Sequence, residues 1–285
     1  WAGGCLNSPP DHQRNSVSLH KFRRKAMGNL KVGVMIESFG LGVRNGIKKA
    51  AEIGADGFQI YVTGGEMHPD NLSKTGRQEF LKFVADQGLV ISALCGDFGK
   101  PYTKEEGLDE LITDTKKVID LAVDLKTPII TTHIGVVDAD PKARSRQIMA
   151  DALNNVGAYA DNRGIMFATE TGPEPGPVLA DFIKSLKTQA VKANFDPANL
   201  AMMGFDVLEG VRALGPYIVH THAKDGIRED GRGKEVPLGE GAVPWEEYID
   251  LMTAQGYRGF YTIEREVGDD PAADVKKALD FLRKW

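Results

Sequence analysis

The chain has 285 residues, 42% of them hydrophobic and 26% charged, the balance of a soluble globular protein. A formal net charge of −5 provides no general pull toward nucleic acid or anionic membrane, and no apolar run approaches the ~20 residues that span a bilayer. Cys5 and Cys95 lie far apart and match no metal-binding spacing, so no disulfide framework is expected.

Residues 1–26 carry Pro9-Pro10 and the basic cluster His20-Lys-Phe-Arg-Arg-Lys25 without a hydrophobic period. They read as an irregular N-terminal extension ahead of one domain over 27–285. No apolar stretch precedes Ala2-Gly-Gly-Cys5 or follows Arg23-Arg24, so no export signal is read. A cytoplasmic location with no membrane partner is expected.

From residue 31 the pattern alternates. An apolar strand at 32–37 is followed by an amphipathic helix at 46–53 that Gly54 stops. Strand two is 57–61; Ser73 caps a helix that ends at Gly88, and strand three is 89–94. A helix from about 104 to 124 carries Leu108, Leu111, Ile112, Val118, Ile119 and Ala122 at helical spacing. Strand four is 128–133, and Pro141 is read as opening a helix to 163. Strand 165–170, a helix near 178–186 and strand 191–196 come next, then a short helix at 209–214 before the strand 217–222. The long, glycine-rich stretch 225–243 is expected to be a lid loop. A helix at 244–255, a strand at 259–264 and a helix at 271–284 close the chain. Eight strand–helix units with no second-domain signal predict a closed, all-parallel (β/α)8 TIM barrel.

Four of these strands end in groups that a core would not want: Glu170, Asp196, His222 and Glu264. Side chains alternate faces along a strand, so His220 and His222 point the same way, with His222 nearer the carboxyl end. Glu170, Asp196 and His222 are evenly spaced, as one strand–helix unit requires, and the longer step to Glu264 contains the 225–243 loop. Converging carboxylates at a barrel mouth repel one another, and a cation resolves the conflict. Three oxygen ligands and one imidazole suit one divalent ion, Mn²⁺ or Mg²⁺ before Zn²⁺, Fe²⁺ or Co²⁺. The alternative is ion pairing of the carboxylates with Lys224 or Arg265.

The segments Glu170-Thr-Gly, Asn194-Phe-Asp-Pro-Ala-Asn199, His220-Thr-His-Ala-Lys-Asp225, Pro237-Leu-Gly-Glu-Gly241 and Thr262-Ile-Glu-Arg-Glu266 resemble the sugar-phosphate isomerase/epimerase group of the xylose isomerase-like TIM barrels. The resemblance covers most of residues 30–285. It implies that Glu170, Asp196, His222 and Glu264 bind one divalent metal and that Glu170 and Glu264 double as acid and base. It also implies a homo-oligomer, dimer or tetramer. Glu266 shares Glu264's face, but the family pattern favours Glu264 as the ligand. Substrate contacts are assigned to His133, Glu37, Tyr61 and Lys224. His220, one layer deeper, is read as a core polar residue, Trp245 as core rather than a sugar-stacking ring, and Gly239-Glu-Gly241 as a turn rather than a phosphate cradle.

The expected reaction is isomerisation or epimerisation of a sugar, sugar phosphate or cyclitol by proton transfer through a metal-bound enediolate. Rival readings are a lyase of the inosose dehydratase type and a sugar-binding protein without turnover. An endonuclease IV-like, three-zinc phosphodiesterase is disfavoured, because its pattern wants histidines where this chain has Asn199 and Glu235. No nucleic-acid partner is expected.

Overall fold

A computed structural model describes residues 30–285. The reading of 1–26 as an extension therefore lies outside the described residues. Eight strands close a parallel barrel: β1 (Lys31–Met35), β2 (Gly57–Tyr61), β3 (Val90–Cys95), β4 (Ile129–Thr132), β5 (Met166–Glu170), β6 (Val191–Phe195), β7 (Ile218–Ala223) and, after a two-stranded ribbon, β10 (Phe260–Ile263). Around the ring the order is β1-β10-β7-β6-β5-β4-β3-β2. The strands are buried on both faces, as a sheet enclosed by helices requires: Val32, Phe58, Ile60, Leu94, Ile130, Phe167 and Phe195 have no exposed surface.

The outer layer is α1 (Val43–Glu52), α2 (Lys74–Asp86), α3 (Leu108–Asp124), α4 (Arg144–Asp161), α5 (Gly176–Ser185), α6 (Pro197–Met203), α7 (Val207–Leu214), α8 (Trp245–Ala254) and α9 (Pro271–Leu282). Local chemistry starts several of them. The Ser73 hydroxyl accepts from Gly76 N ahead of α2, and Asp206 and Asp270 cap α7 and α9 in the same way. Among the described residues no helix is long and apolar enough to cross a membrane.

Four local expectations need correction. Strand one stops at Met35, and Glu37 lies in a 3-10 turn over Ile36–Phe39, so it is displaced from the strand end. Pro141 does not open α4; the chain turns through Asp138 and Asp140, whose carboxylates cap local N–H groups, and the helix begins at Arg144. The stretch between strand 191–196 and the helix at 209–214, to which the sequence reading gives no element, forms α6, which Asp196 caps from its N-terminus with Pro197 in the first turn.

The fourth correction concerns 225–243. Much of it is an antiparallel ribbon, β8 (Asp225–Glu229) and β9 (Arg232–Val236), rather than an irregular loop. Its tip is Asp230-Gly231, both at positive φ (48° and 77°), the two-residue turn whose twist matches that of a hairpin. The ribbon packs on α6: a side chain on Gly226 or Gly233 would strike Met202, and Arg228 Nη1 donates to Met202 O.

Candidate metal centre at the barrel mouth

Glu170, Asp196, His222 and Glu264 come together at the carboxyl ends of β5, β6, β7 and β10. One ligand atom from each lies within 4.8 Å of the others. His222 Nδ1 is at the middle of the set, 3.5 Å from Glu170 Oε1, 3.6 Å from Asp196 Oδ2 and 3.3 Å from Glu264 Oε2. All four side chains are buried, and Asp196 Oδ2 and His222 Nδ1 have no hydrogen-bond partner. An orphaned carboxylate oxygen facing an orphaned imidazole nitrogen in a buried site is costly unless something fills the gap. Three oxygens and one nitrogen fit a divalent cation, and these four residues could hold one.

The surroundings fix which nitrogen of His222 faces the carboxylates. The Gln59 amide donates from Nε2 to Thr131 Oγ1 (2.9 Å), which turns Gln59 Oε1 toward His222 Nε2 at 3.2 Å. A carbonyl oxygen only accepts, so Gln59 favours hydrogen on Nε2 although Asn194 Nδ2 also lies 3.3 Å from it, and a neutral ring would then turn the Nδ1 lone pair to the cluster.

A second chain orients Glu170. Thr262 Oγ1 meets His220 Nε2 (3.0 Å), His220 Nδ1 meets Asn194 Oδ1 (2.8 Å), and Asn194 Nδ2 donates to Glu170 Oε2 (3.2 Å). Burial pushes His220 well below the usual histidine range, so it serves as a neutral link, in keeping with the core role read for it. Asn199 Nδ2 holds the other oxygen, Glu170 Oε1, at 2.9 Å. Asp196 is held by its own cap, Oδ1 accepting from Ala198 N and Asn199 N, which leaves only Oδ2 for the centre. Gln59 reads in the sequence as an ordinary strand residue, and Asn194 enters there only as part of the 194–199 segment with no role of its own.

Charge at the centre is lopsided. Burial disfavours a charged His222, but the carboxylates of Glu264 and Glu170 outweigh it and hold its pKa well above the usual range. Burial likewise opposes an ionised Glu264, yet His222 and Lys224 hold it well below the usual carboxylate range. A site that forces a proton onto its own histidine carries an excess of negative charge that a cation would take up.

The remaining candidates divide. Lys224 Nζ is 3.0 Å from Glu264 Oε2 and also pairs with Glu266, so Glu266 is engaged away from the centre. His133 Nε2 lies 3.7 Å from Glu170 Oε1, and its Nδ1 contacts Asp97 Oδ2 at 2.7 Å. Glu170's charge is the main cause that raises His133 to about 9. Glu37 and Tyr61 are outside the cluster and are tied to each other, Tyr61 N donating to Glu37 Oε1 at 3.1 Å.

Asp225 anchors the ribbon beside the centre. Its buried carboxylate accepts from the backbone N–H groups of Gly226, Gly239 and Val243 and from Trp245 Nε1. A Cβ on Gly241 would fall 2.0 Å from Asp225 Oδ1, so the Gly239-Glu-Gly241 turn wraps that carboxylate and is no phosphate cradle. Trp245 is buried, edge-on to Tyr248 and Phe281, as a core ring should be. Glu235 pairs with Arg265 (2.6 Å), and Asn199 donates to Glu170.

Comparison with known proteins gives four findings. Residues 47–285 match the profile of the family described as xylose isomerase-like TIM barrel. The L-ribulose-5-phosphate 3-epimerase UlaE of Escherichia coli (strain K12) is 39% identical over 230 residues, covering 75% of this chain and 78% of that protein. A xylose isomerase domain protein from Planctomyces limnophilus superposes with a TM-score of 0.80 at 26% identity, over 90% of this chain and 98% of that one. The probable 3-DHS dehydratase AsbF from Bacillus anthracis, at 20% identity and TM-score 0.72, covers 89% of this chain and 98% of its own; it shares the fold.

Proposed function

The chain belongs to the xylose isomerase-like TIM barrel family, and we propose that it is a divalent-metal-dependent isomerase or epimerase of a sugar or sugar phosphate, most simply a 3-epimerase of a ketose phosphate. The catalytic unit in this reading is the single barrel of 27–285, working as a homo-oligomer. The observation that carries it is the placement of Glu170 and Glu264 on either side of one cluster, on β5 and β10 with β6 and β7 between them. Epimerisation requires removal of a proton from one face of a carbon and its return from the other, and two separated carboxylates suit that task.

Glu170, Asp196, His222 and Glu264 would hold the metal, which when bound would polarise the substrate carbonyl and acidify the neighbouring C–H. The protein's part follows from its own contacts. Glu264 Oε1 has no hydrogen-bond partner among the described contacts, whereas Oε2 is taken by Lys224, so Oε1 is the atom assigned to proton transfer. Glu170 is held by Asn194 and Asn199 on its two oxygens, which fixes its plane for the opposite face. His222 and, to a lesser degree, Lys224 favour the ionised form of Glu264.

The test is proton NMR of the metal-loaded enzyme in D₂O with L-ribulose 5-phosphate, other ketoses and inososes. Deuterium at the carbon beside the carbonyl is expected, and Glu170→Gln and Glu264→Gln should each cut turnover by ~10² or more. Turnover that retains the original hydrogen would indicate a hydride shift and sink the two-glutamate reading. A dehydrated product would identify a lyase.

A further inference from the structure

Next to the cluster, on the β3–β4 side of the mouth, is a cleft of about 200 Å³ lined by Asp97, Gly99, Lys100, Pro101, His133 and Gly135. His133 joins the two spaces, since its ring lines the cleft while its Nε2 is 3.7 Å from Glu170 Oε1. We propose that this cleft is the subsite for the terminal phosphate of a ketose phosphate whose carbonyl end lies against Glu170 and Glu264; the assignment rests on the epimerase reading above.

Three features point to an anion. Lys100 lines the cleft with a side chain that is 55% exposed, and its only ion pair among the described residues, to the more exposed Glu110, is a long 3.4 Å contact that a dianion would outcompete. The backbone N–H groups of Lys100 and Gly135, both lining residues, make no hydrogen bond to the protein among the described residues. Asp97, the one carboxylate of the lining, is already engaged by His133 Nδ1 and by Gly99 N at 2.7 Å each, so part of its charge is offset.

The loop conformations keep the cleft open. Gly99 and Gly135 hold positive φ (66° and 89°), and a side chain on Gly135 would press within 2.8 Å of Pro101 Cβ and distort the wall. By contrast, the cations nearest the cluster, Lys224 and Arg265, are committed to buried carboxylate partners on the opposite side of the barrel. A substrate with an oxygen-rich end and an anionic end would therefore lie across His133, with its polyol end at the carboxylates and its phosphate at Lys100.

The experiment compares metal-loaded wild-type protein with Lys100→Met and Lys100→Glu in two assays. In the first, kcat/KM is measured for L-ribulose 5-phosphate and for L-ribulose. The preference for the phosphorylated ketose should fall at least ~10-fold in Lys100→Met and further in Lys100→Glu, the scale of a lost charged hydrogen bond. Equal effects on both substrates, or none, would overturn the subsite. In the second, inorganic phosphate is titrated calorimetrically, and binding should weaken by a similar factor in both variants; unchanged affinity would likewise overturn it. If the wild type converts neither sugar, the epimerase reading fails on its own, and the phosphate titration still decides the subsite.

Discussion

Gln59 Oε1 lies 3.2 Å from His222 Nε2 although 163 positions separate the two residues, and this contact, beside Asn194 Nδ2 at 3.3 Å, helps hold the Nδ1 edge of the ring toward the carboxylates. Replacing Gln59 with leucine removes the acceptor and frees the ring to rotate or change tautomer. Metal affinity should fall by ~10- to 100-fold, the usual consequence of losing a group that orients a ligand. Competition with a chelator of known affinity measures it. An unchanged dissociation constant would mean that His222 is oriented by something else.

Asp196 has two separable duties, one on each oxygen. Asp196→Asn keeps an oxygen to cap α6 but removes the charge facing His222, so metal content by elemental analysis should drop from about one equivalent toward none while the metal-free fold persists. Asp196→Ala loses the cap as well and should cost roughly 1–2 kcal/mol more in the metal-free protein. Full metal occupancy in Asp196→Asn would overturn the ligand assignment.

The Asp225 carboxylate satisfies four N–H donors at one buried point. Asp225→Ala should destabilise the protein by ~3 kcal/mol or more, because the donors it abandons cannot all reach water. Chemical denaturation followed by tryptophan emission would register both the loss and the altered surroundings of Trp245. A change below 1 kcal/mol, on the same mutational scale, would show that the ribbon has another anchor.

Glu174 is 4% exposed, accepts one hydrogen bond, from Val137 N, and is raised by burial to about 7. A carboxyl whose folded pKa exceeds its unfolded value, 4.5, binds protons more tightly when folded. Its contribution therefore turns unfavourable as pH climbs from the unfolded pKa toward 7 and is fully unfavourable above that. Glu174→Gln, which keeps the acceptor, should be more stable than wild type by on the order of 2 kcal/mol at pH 8, with the gap closing below pH 4.5. Parallel melts at the two pH values check it, and a gap that does not depend on pH would refute the account.

The amino-acid sequence by itself determined the barrel and the four converging residues. Parallel strands enclosed by helices favour largely apolar runs, and a charged or imidazole group at the carboxyl end of such a run, as Glu170 or His222 is, falls at the mouth. Two local signals were present but outweighed by composition. Asp196-Pro197 starts a helix of only seven residues, too short to show a helical period, and Asp230-Gly231 is a hairpin turn masked by the glycines on either side. Only the tertiary structure decided the rest. Gln59 faces His222 because the closed ring puts β2 across from β7, and Asn194 links His220 to Glu170 because of a register shift between β6 and β7. Lys100 becomes part of a cleft because two loops from neighbouring strands fold against each other over Pro101 and Gly135. Periodicity reports which face a residue is on. It carries no information about which distant residue will stand opposite, since that depends on ring closure and on loop packing, both set by contacts far apart in the chain.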